Sequence, residues 1–399
     1  MASSDASQVP DLIRAVSDID QKLRAGELVP LRSLEVLTRY TKILNVPIGG
    51  DDSKKFAHWG VIPVEWEDPT SEKVVPVNDL NLEIARVLFL GGWAHELAAE
   101  REENGGDLDE AVRLYSQAGR YFKTAALFSR VIIQEEHDLA CLDPDALEFR
   151  SESLRAVAQS VLVSKSEDEG DLESAAGLSL GLSWMNRRLS YLSTGDDIKR
   201  AHFAGLVHFD RAMACSRFAR VKSKRAKKDS PRHATNAARL LERAIAAWEK
   251  DRKALTKTKD VDVTLLEEDL EVARDELSRL DATSEPYDPD AFAQISPLTP
   301  VPENSILFFP KALGGLAVVY EPTKKMKREH APRRFKFDRI SRDFLFAEQR
   351  SLEKTVEELK ALLGKGLLSP AEFAELSRKF FTELHQIEVI IDALLRKKS

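Results

Sequence analysis

Residues 82–128, LEIARVLFLGGWAHELAAEREENGGDLDEAVRLYSQAGRYFKTAALF, decide how this chain is built. In the first half Leu82, Ala85, Phe89, Trp93 and Leu97 recur every three or four residues, the spacing that places side chains on one face of a helix. In the second half Leu108, Ala111, Val112, Tyr115, Ala118, Tyr121, Phe122 and Ala125 do the same. Between them Asn104, Gly105 and Gly106 predict a polar turn. Asp107 predicts an N-cap, and Glu110, three residues on, completes a capping box. Small residues on a buried face let two helices approach closely, and flanking aromatics fill the grooves between them. The stretch therefore predicts a helical hairpin. Taken from the residues alone, a hairpin of this type can stack on further hairpins as one unit of an all-helical solenoid.

The helical period extends outward on both sides. Towards the N-terminus it predicts helices over 11–25 and 31–44, separated by Gly26 and Pro30. Residues 46–78 hold too many prolines and glycines for a long helix, and VIPVEW at 61–66 has strand character, so a small β element is expected near 56–75. Towards the C-terminus a helix over 142–166 starts at Asp143, with Pro144 welcome in its first turn. Further helices follow over 171–192, 198–222, 233–255 and 263–280. Residues 284–302 carry Pro286, Pro289, Pro297, Pro300 and Pro302 and read as extended. Two last amphipathic helices, 342–363 and 370–395, are joined by GKGLLSP. They form a hairpin that either packs on the body or covers a groove on it.

Composition narrows the function. With 399 residues, 43% hydrophobic and 31% charged, the chain can bury a large core. A net charge of −7 argues against a dedicated nucleic-acid binder. Cys141 and Cys215 form neither a CxxC pair nor a disulfide framework, which points to a reducing, cytoplasmic compartment. The N-terminus MASSDASQVPDLI lacks the basic and apolar regions of a signal peptide, and no run of 18 apolar residues provides a membrane span. Membrane association is therefore expected to be peripheral. None of the eight histidines stands in HExxH or in a Cys/His metal spacing, and His202 and His208, six apart on one helix, face different ways. Gly91-Gly92 and Gly314-Gly315 lack the lysine of a phosphate loop, and GLSWM lacks a nucleophile elbow. The expectation is a non-enzyme without cofactor, metal or small-molecule substrate.

Three blocks carry a family resemblance. The first is LE-x-A-x-VLF at 82–89 with AAE at 98–100, the acidic-glycine turn, and Ala118, Tyr121, Ala125 and Phe128 at helical spacing. The second is Asp143-Pro144-Asp145, then Ala156-Val157-Ala158-Gln159-Ser160, then Lys165. The third is Trp66-Glu67-Asp68 at the end of the strand. With the third preceding the first in the chain and the second following it, they resemble the Bro (Bro-one) domain of Alix-like proteins, which act with the ESCRT machinery on endosomes. The resemblance implies a mostly α, elongated, boomerang-shaped domain with tetratricopeptide-like hairpins and a small β element near its N-terminus. It covers 30–310, leaving an N-terminal helix at 1–29, a basic linker at 311–341 and the C-terminal hairpin at 342–399. The family's N-terminus is longer, and the long helical domain and proline-rich tail of Alix-like proteins have no counterpart in this sequence.

The function implied is that of a non-catalytic cytoplasmic adaptor, recruited peripherally to endosomes, that binds ESCRT-III subunits in multivesicular-body sorting and membrane remodelling. Related alternatives are a scaffold in ambient-pH signalling and a tetratricopeptide-like co-chaperone, though no regular 34-residue repeat supports the latter. The family accepts the amphipathic C-terminal helix of the core ESCRT-III subunit on a hydrophobic patch, a helix-in-groove mode. Carried onto this sequence, the patch falls on Leu162, with Lys165 beside it, and on Ala176 and Leu180. The family has larger side chains at the first two places, so the apolar area is reduced and binding weakened by a few kcal/mol at ~25 cal/mol per Å2. Two basic runs are candidates for an anionic membrane surface. One contains Lys222, Lys224, Arg225, Lys227 and Lys228; the other contains Lys324, Lys325, Lys327 and Arg328. Each charge near such a surface contributes about 1 kcal/mol, and the alternative is a solvated loop.

Overall fold

The computed structural model describes residues 9–44, 64–71, 73–77, 80–130, 139–193, 196–225, 230–257, 262–280 and 286–308, with 357 and 360. The linker at 311–341 and the hairpin at 342–399 otherwise lie outside the described residues. Among the described residues there are ten helices and one two-stranded sheet. The mostly helical class and the small β element are thus as the sequence predicts.

Helices α1 (Val9–Arg24) and α2 (Glu35–Leu44) are joined through a short 3-10 turn, Leu31–Leu34. Strands β1 (Val64–Glu67) and β2 (Val74–Val77) pair antiparallel with Val64 opposite Val77. The second strand contains Pro76, read above only as a breaker. A two-stranded ribbon has only edge strands, where a missing N–H is tolerated. Then come α3 (Leu80–Gly105), α4 (Leu108–Ser129), α5 (Pro144–Asp168), α6 (Leu172–Leu192), α7 (Asp197–Arg225), α8 (Ser230–Leu255) and α9 (Thr264–Ser278). A last single turn, α10 (Pro289–Phe292), interrupts the stretch expected to be extended. Pro289 takes the first helical position and Asp288 accepts from the amides of Asp290 and Ala291, the ordinary chemistry of a helix start.

The hairpins α3/α4 and α5/α6 turn on the same device. Gly106 (φ +85°) and Gly170 (φ +76°) take the left-handed conformation that ends a helix. Asp107 N and Asp171 N then bond back to Glu102 O and Ser166 O. The Asp107 and Asp171 carboxylates accept from the amides of Glu110 and Ser174, both at 3.1 Å. Gly-Asp-Leu-Asp-Glu-Ala at 106–111 and Gly-Asp-Leu-Glu-Ser-Ala at 170–175 are the sequence form of this repeat.

Two cores result. The larger gathers α1 to α5 with Trp66. Leu12, Val16, Ile19 and Leu23 of α1 belong to it. Buried in its wall, Arg86 donates to both Glu83 oxygens at 2.7 Å and lies 3.8 Å from Asp20, which also accepts from Trp66 Nε1 at 3.0 Å. The second core joins α6 to α7, α8 and α9 around Trp248.

Candidate functional site

The helices that carry the predicted patch are fixed from two sides. On one side α3 and α4 approach closely: a Cβ on Gly91 would lie 2.6 Å from the Tyr121 ring, and one on Gly92 would lie 2.8 Å from Phe122. On the other, residues 296–307 run as a strap over α4, α5 and α6. Leu298 N donates to Gly177 O at 2.9 Å, and Gln159 Nε2 donates to Leu298 O at 2.8 Å. Asn304 Nδ2 donates to Ser151 O at 2.7 Å, and Leu307 N donates to Thr124 Oγ1 at 2.9 Å. Glycine is needed beneath the strap, since a Cβ on Gly181 would meet Leu298 O at 2.1 Å.

Leu162 sits on the last third of α5, half-buried against the larger core. Lys165, one turn on, donates to Asp109 Oδ1 at 2.6 Å and so ties α5 to the start of α4. That bond holds its ammonium above the usual lysine range. On either side of Asp109 along α4, Leu108 and Val112 are also half-buried against the same core. Leu108, Val112 and Leu162 with the Lys165–Asp109 pair form a partly apolar surface where α4 begins and α5 ends.

Ala176 and Leu180 are elsewhere. At 0% and 4% exposure they lie inside the second core with α7 and α8, not on the surface beside Leu162. The physical reason is the double cover of α6. Helix α7 packs on one side and the strap crosses Gly177 and Gly181 on another, so the small residues of AAGLSLG admit neighbours and do not line a reduced patch. Arg217 reinforces the cover, gripping both Glu167 oxygens at 2.8 Å and Ser179 Oγ at 2.9 Å. Its bond keeps the Glu167 carboxyl below the usual range.

Of the basic candidates, Lys222 is half-buried, its ammonium 5.1 Å from the centre of the Phe218 ring. Lys224 and Arg225 are the last residues but one and the last of α7. Lys227, Lys228, Lys324, Lys325, Lys327 and Arg328 lie outside the described residues. The two cysteines are buried, and burial pushes Cys215 up to about 12 and Cys141 higher still, so neither is a thiolate at neutral pH. His202 Nδ1 lies 2.6 Å from Asp269 Oδ2 and ties α7 to α9.

Sequence reasoning missed the residues that hold the strap: Ser151, Gln159 and Asn304. The one signal available was Gln159 amid alanines, a long polar side chain on a buried helix face that needs partners.

Among the described residues no helix is long and apolar enough to cross a membrane, and no cluster of His, Cys, Asp and Glu is arranged to hold a metal. No family model and no curated protein matches the chain. Solved structures of Bro1 domains are similar to it. One is the complex of the ALIX BRO1 domain with CHMP4C, 16% identical, covering 76% of this chain and 87% of that one with a TM-score of 0.47. Another is ALIX in complex with the SIVmac239 PYKEVTEDL late domain, 14% identical with a TM-score of 0.46; it covers 88% of this chain, which spans 51% of that one. A third, a structure of endosomal targeting by the Bro1 domain, is 15% identical and covers 73% of this chain and 82% of that one, with a TM-score of 0.46.

Proposed function

We propose that this chain is a non-catalytic adaptor of the Bro-domain kind, cytoplasmic and recruited peripherally to endosomes, that binds the C-terminal helix of a core ESCRT-III subunit in sorting and membrane remodelling. The observation that carries the reading is the surface of Leu108, Val112 and Leu162, three half-buried apolar side chains on two helices braced by the Lys165–Asp109 pair. It lies on two of the three sequence blocks that resemble the family, and a partly apolar strip between helices suits an amphipathic helix. In this reading Leu162 and Lys165 touch the partner, while Ala176 and Leu180 support α6 from within. The basic residues of 222–228 and 324–328 add attraction to an anionic membrane.

The test is titration of the whole chain with the labelled C-terminal helix of its own organism's core ESCRT-III subunit. A Kd on the order of micromolar, lost in Leu162→Asp, supports the reading. Because Leu162 packs on the core, Lys165→Glu serves as a second variant at the exposed rim, and circular dichroism checks that both remain folded. Wild-type chain that does not bind the helix, or binding indifferent to both substitutions, overturns it.

A further inference from the structure

The surface of Leu108, Val112 and Leu162 is bordered by acids at its open end. Asp107 and Asp109 stand at the start of α4, and Asp168 and Glu169 at the end of α5, all four exposed. Lys165, which lies among them, is already shared, 2.6 Å from Asp109 and 3.9 Å from Glu169. Arg113, one turn along α4, pairs with Glu110. Leu162, Ser166 and Glu169 follow at intervals of four and three on one face of α5, so the apolar strip runs directly into the acids.

The chain carries a segment of matching pattern. In the predicted helix 370–395, Phe380, Leu384, Ile387, Ile391 and Leu394 recur every three or four residues, and Arg396, Lys397 and Lys398 follow at once. From residue 389 onward three cations stand against a single acid, Asp392. Two helices alone make too small a core to bury their apolar faces, so the C-terminal hairpin needs a surface on the body. The body hands over the chain at the far end of α4. There Leu307 N donates to Thr124 Oγ1, and the Phe308 ring packs 5.7 Å from that of Phe128. Residues 309–369 intervene, and at ~3.4 Å each their reach is several times the ~33 Å length of α4. A helix laid back along α4 from that point brings its last turns to Leu108 and its cations to the acids.

We infer that residues 384–398 dock on this surface in cis, with Ile387, Ile391 and Leu394 on Leu108, Val112 and Leu162, and with Arg396, Lys397 and Lys398 over Asp107, Asp109 and Glu169. The chain's own helix then takes the place of the partner helix, and the contact holds the adaptor closed. In the segment apolar side chains come first and cations after, as apolar surface and then acids do along α5. The match therefore fixes the direction of the helix as well as its site. Attachment to the same chain sets an effective concentration up to the order of millimolar, enough to occupy a surface of micromolar affinity until a partner competes. The closure as regulation rests on the function proposed above; the contact itself does not.

The test uses thiols. Cys141 and Cys215 are buried, so cysteines introduced at accessible positions are the ones that react. In the whole chain Ser166→Cys, on the Leu162 face, is combined with Ser399→Cys and oxidised in dilute solution. Ser278→Cys at the exposed end of α9, with the same Ser399→Cys, is the control. All three changes are nearly isosteric and keep every charge. A disulfide within one chain is expected to form at least about tenfold faster in the first pair than in the control. It is expected to slow at least about fivefold when Arg396→Glu, Lys397→Glu and Lys398→Glu are added together. Locked by that disulfide, the chain is expected to bind the labelled ESCRT-III helix at least about tenfold more weakly than after reduction. Equal rates in the two pairs, or a disulfide that joins two copies, overturn the contact. A measurable affinity that reduction leaves unchanged overturns the closure. A fast disulfide in a chain that binds the helix in neither state supports the contact and sinks the proposed function.

Discussion

The hairpins α3/α4 and α5/α6 turn on the same glycine and aspartate and then use their small residues for opposite purposes. In the first, Gly91 and Gly92 on α3 make room for Tyr121 and Phe122 on α4. Phe89 then links Trp66, Trp93 and Phe122 into an aromatic row, with ring centres 5.7 to 6.1 Å apart. In the second, Gly177 and Gly181 on α6 make room not for α5 but for the backbone of a segment more than a hundred residues later. Small residues announce a close approach without naming what approaches. That ambiguity is why Ala176 and Leu180 read as a surface in the sequence and are interior in the fold.

The two halves also treat buried charge differently, and the largest expected effects come from there. In the first half Arg86 neutralises Glu83 and is close to Asp20, all three buried. Removing one partner of a buried pair leaves an uncompensated charge, so Arg86→Met is expected to cost about 3–5 kcal/mol, read as the shift of the urea midpoint. A cost below about 1 kcal/mol breaks the view that this network anchors α1 and β1 to α3.

In the second half Asp210, 7% exposed, has Asn186 Nδ2 at 2.7 Å as donor and only the more distant charges of Arg217 and Arg211 to favour ionisation. Burial wins, and its carboxyl is pushed up to about 7. An acid whose pKa is higher folded than unfolded contributes stability that is complete below about 4 and is lost as the pH rises through about 7. Asp210→Asn cannot ionise and keeps the Asn186 bond. Relative to it, the wild type is expected to lose on the order of 2–4 kcal/mol between pH 4 and pH 8, by urea titrations at each pH. A constant difference across that range removes the contrast between the halves.

How far the sequence carries the structure follows from the same contrast. Helices α3 to α9 are legible because a 3.6-residue period is local, and Asp107 and Asp143 mark helix starts by chemistry confined to one turn. The strap is not legible, because an extended proline-rich segment has no period and its partners, Ser151, Gln159 and Gly177, lie far away in the chain. The Leu162–Lys165 face is half legible. The spacing puts both residues on one side of α5, but Asp109, which holds Lys165, comes from another helix.

The strap offers a smaller, sharper test. Gly181→Ala sets a methyl group against the Leu298 carbonyl, and overpacking against backbone is expected to cost about 1–3 kcal/mol. Gly105→Ala, with nothing within 4 Å of the added carbon, is expected to be neutral or stabilising by up to ~1 kcal/mol, since alanine suits a helix better. Equal effects at the two positions sink the reading that glycine at 181 serves the strap.

The smallest effect tests the one feature the hairpins share. Asp107→Ala and Asp171→Ala each remove an acceptor 3.1 Å from an amide at the start of a helix, and each is expected to cost about 1 kcal/mol. The two caps are not in equal surroundings. Asp109, beside the first, is engaged by Lys165, whereas α6 behind the second is held by α7, the strap and Arg217. If the turn acts as a local device, the two losses agree within about 0.5 kcal/mol and add in the double variant, as independent sites do. A markedly smaller loss at Asp171 means that the packing around α6, and not the aspartate, fixes where that helix begins. The similarity of the two turns is then one of sequence and geometry but not of energy.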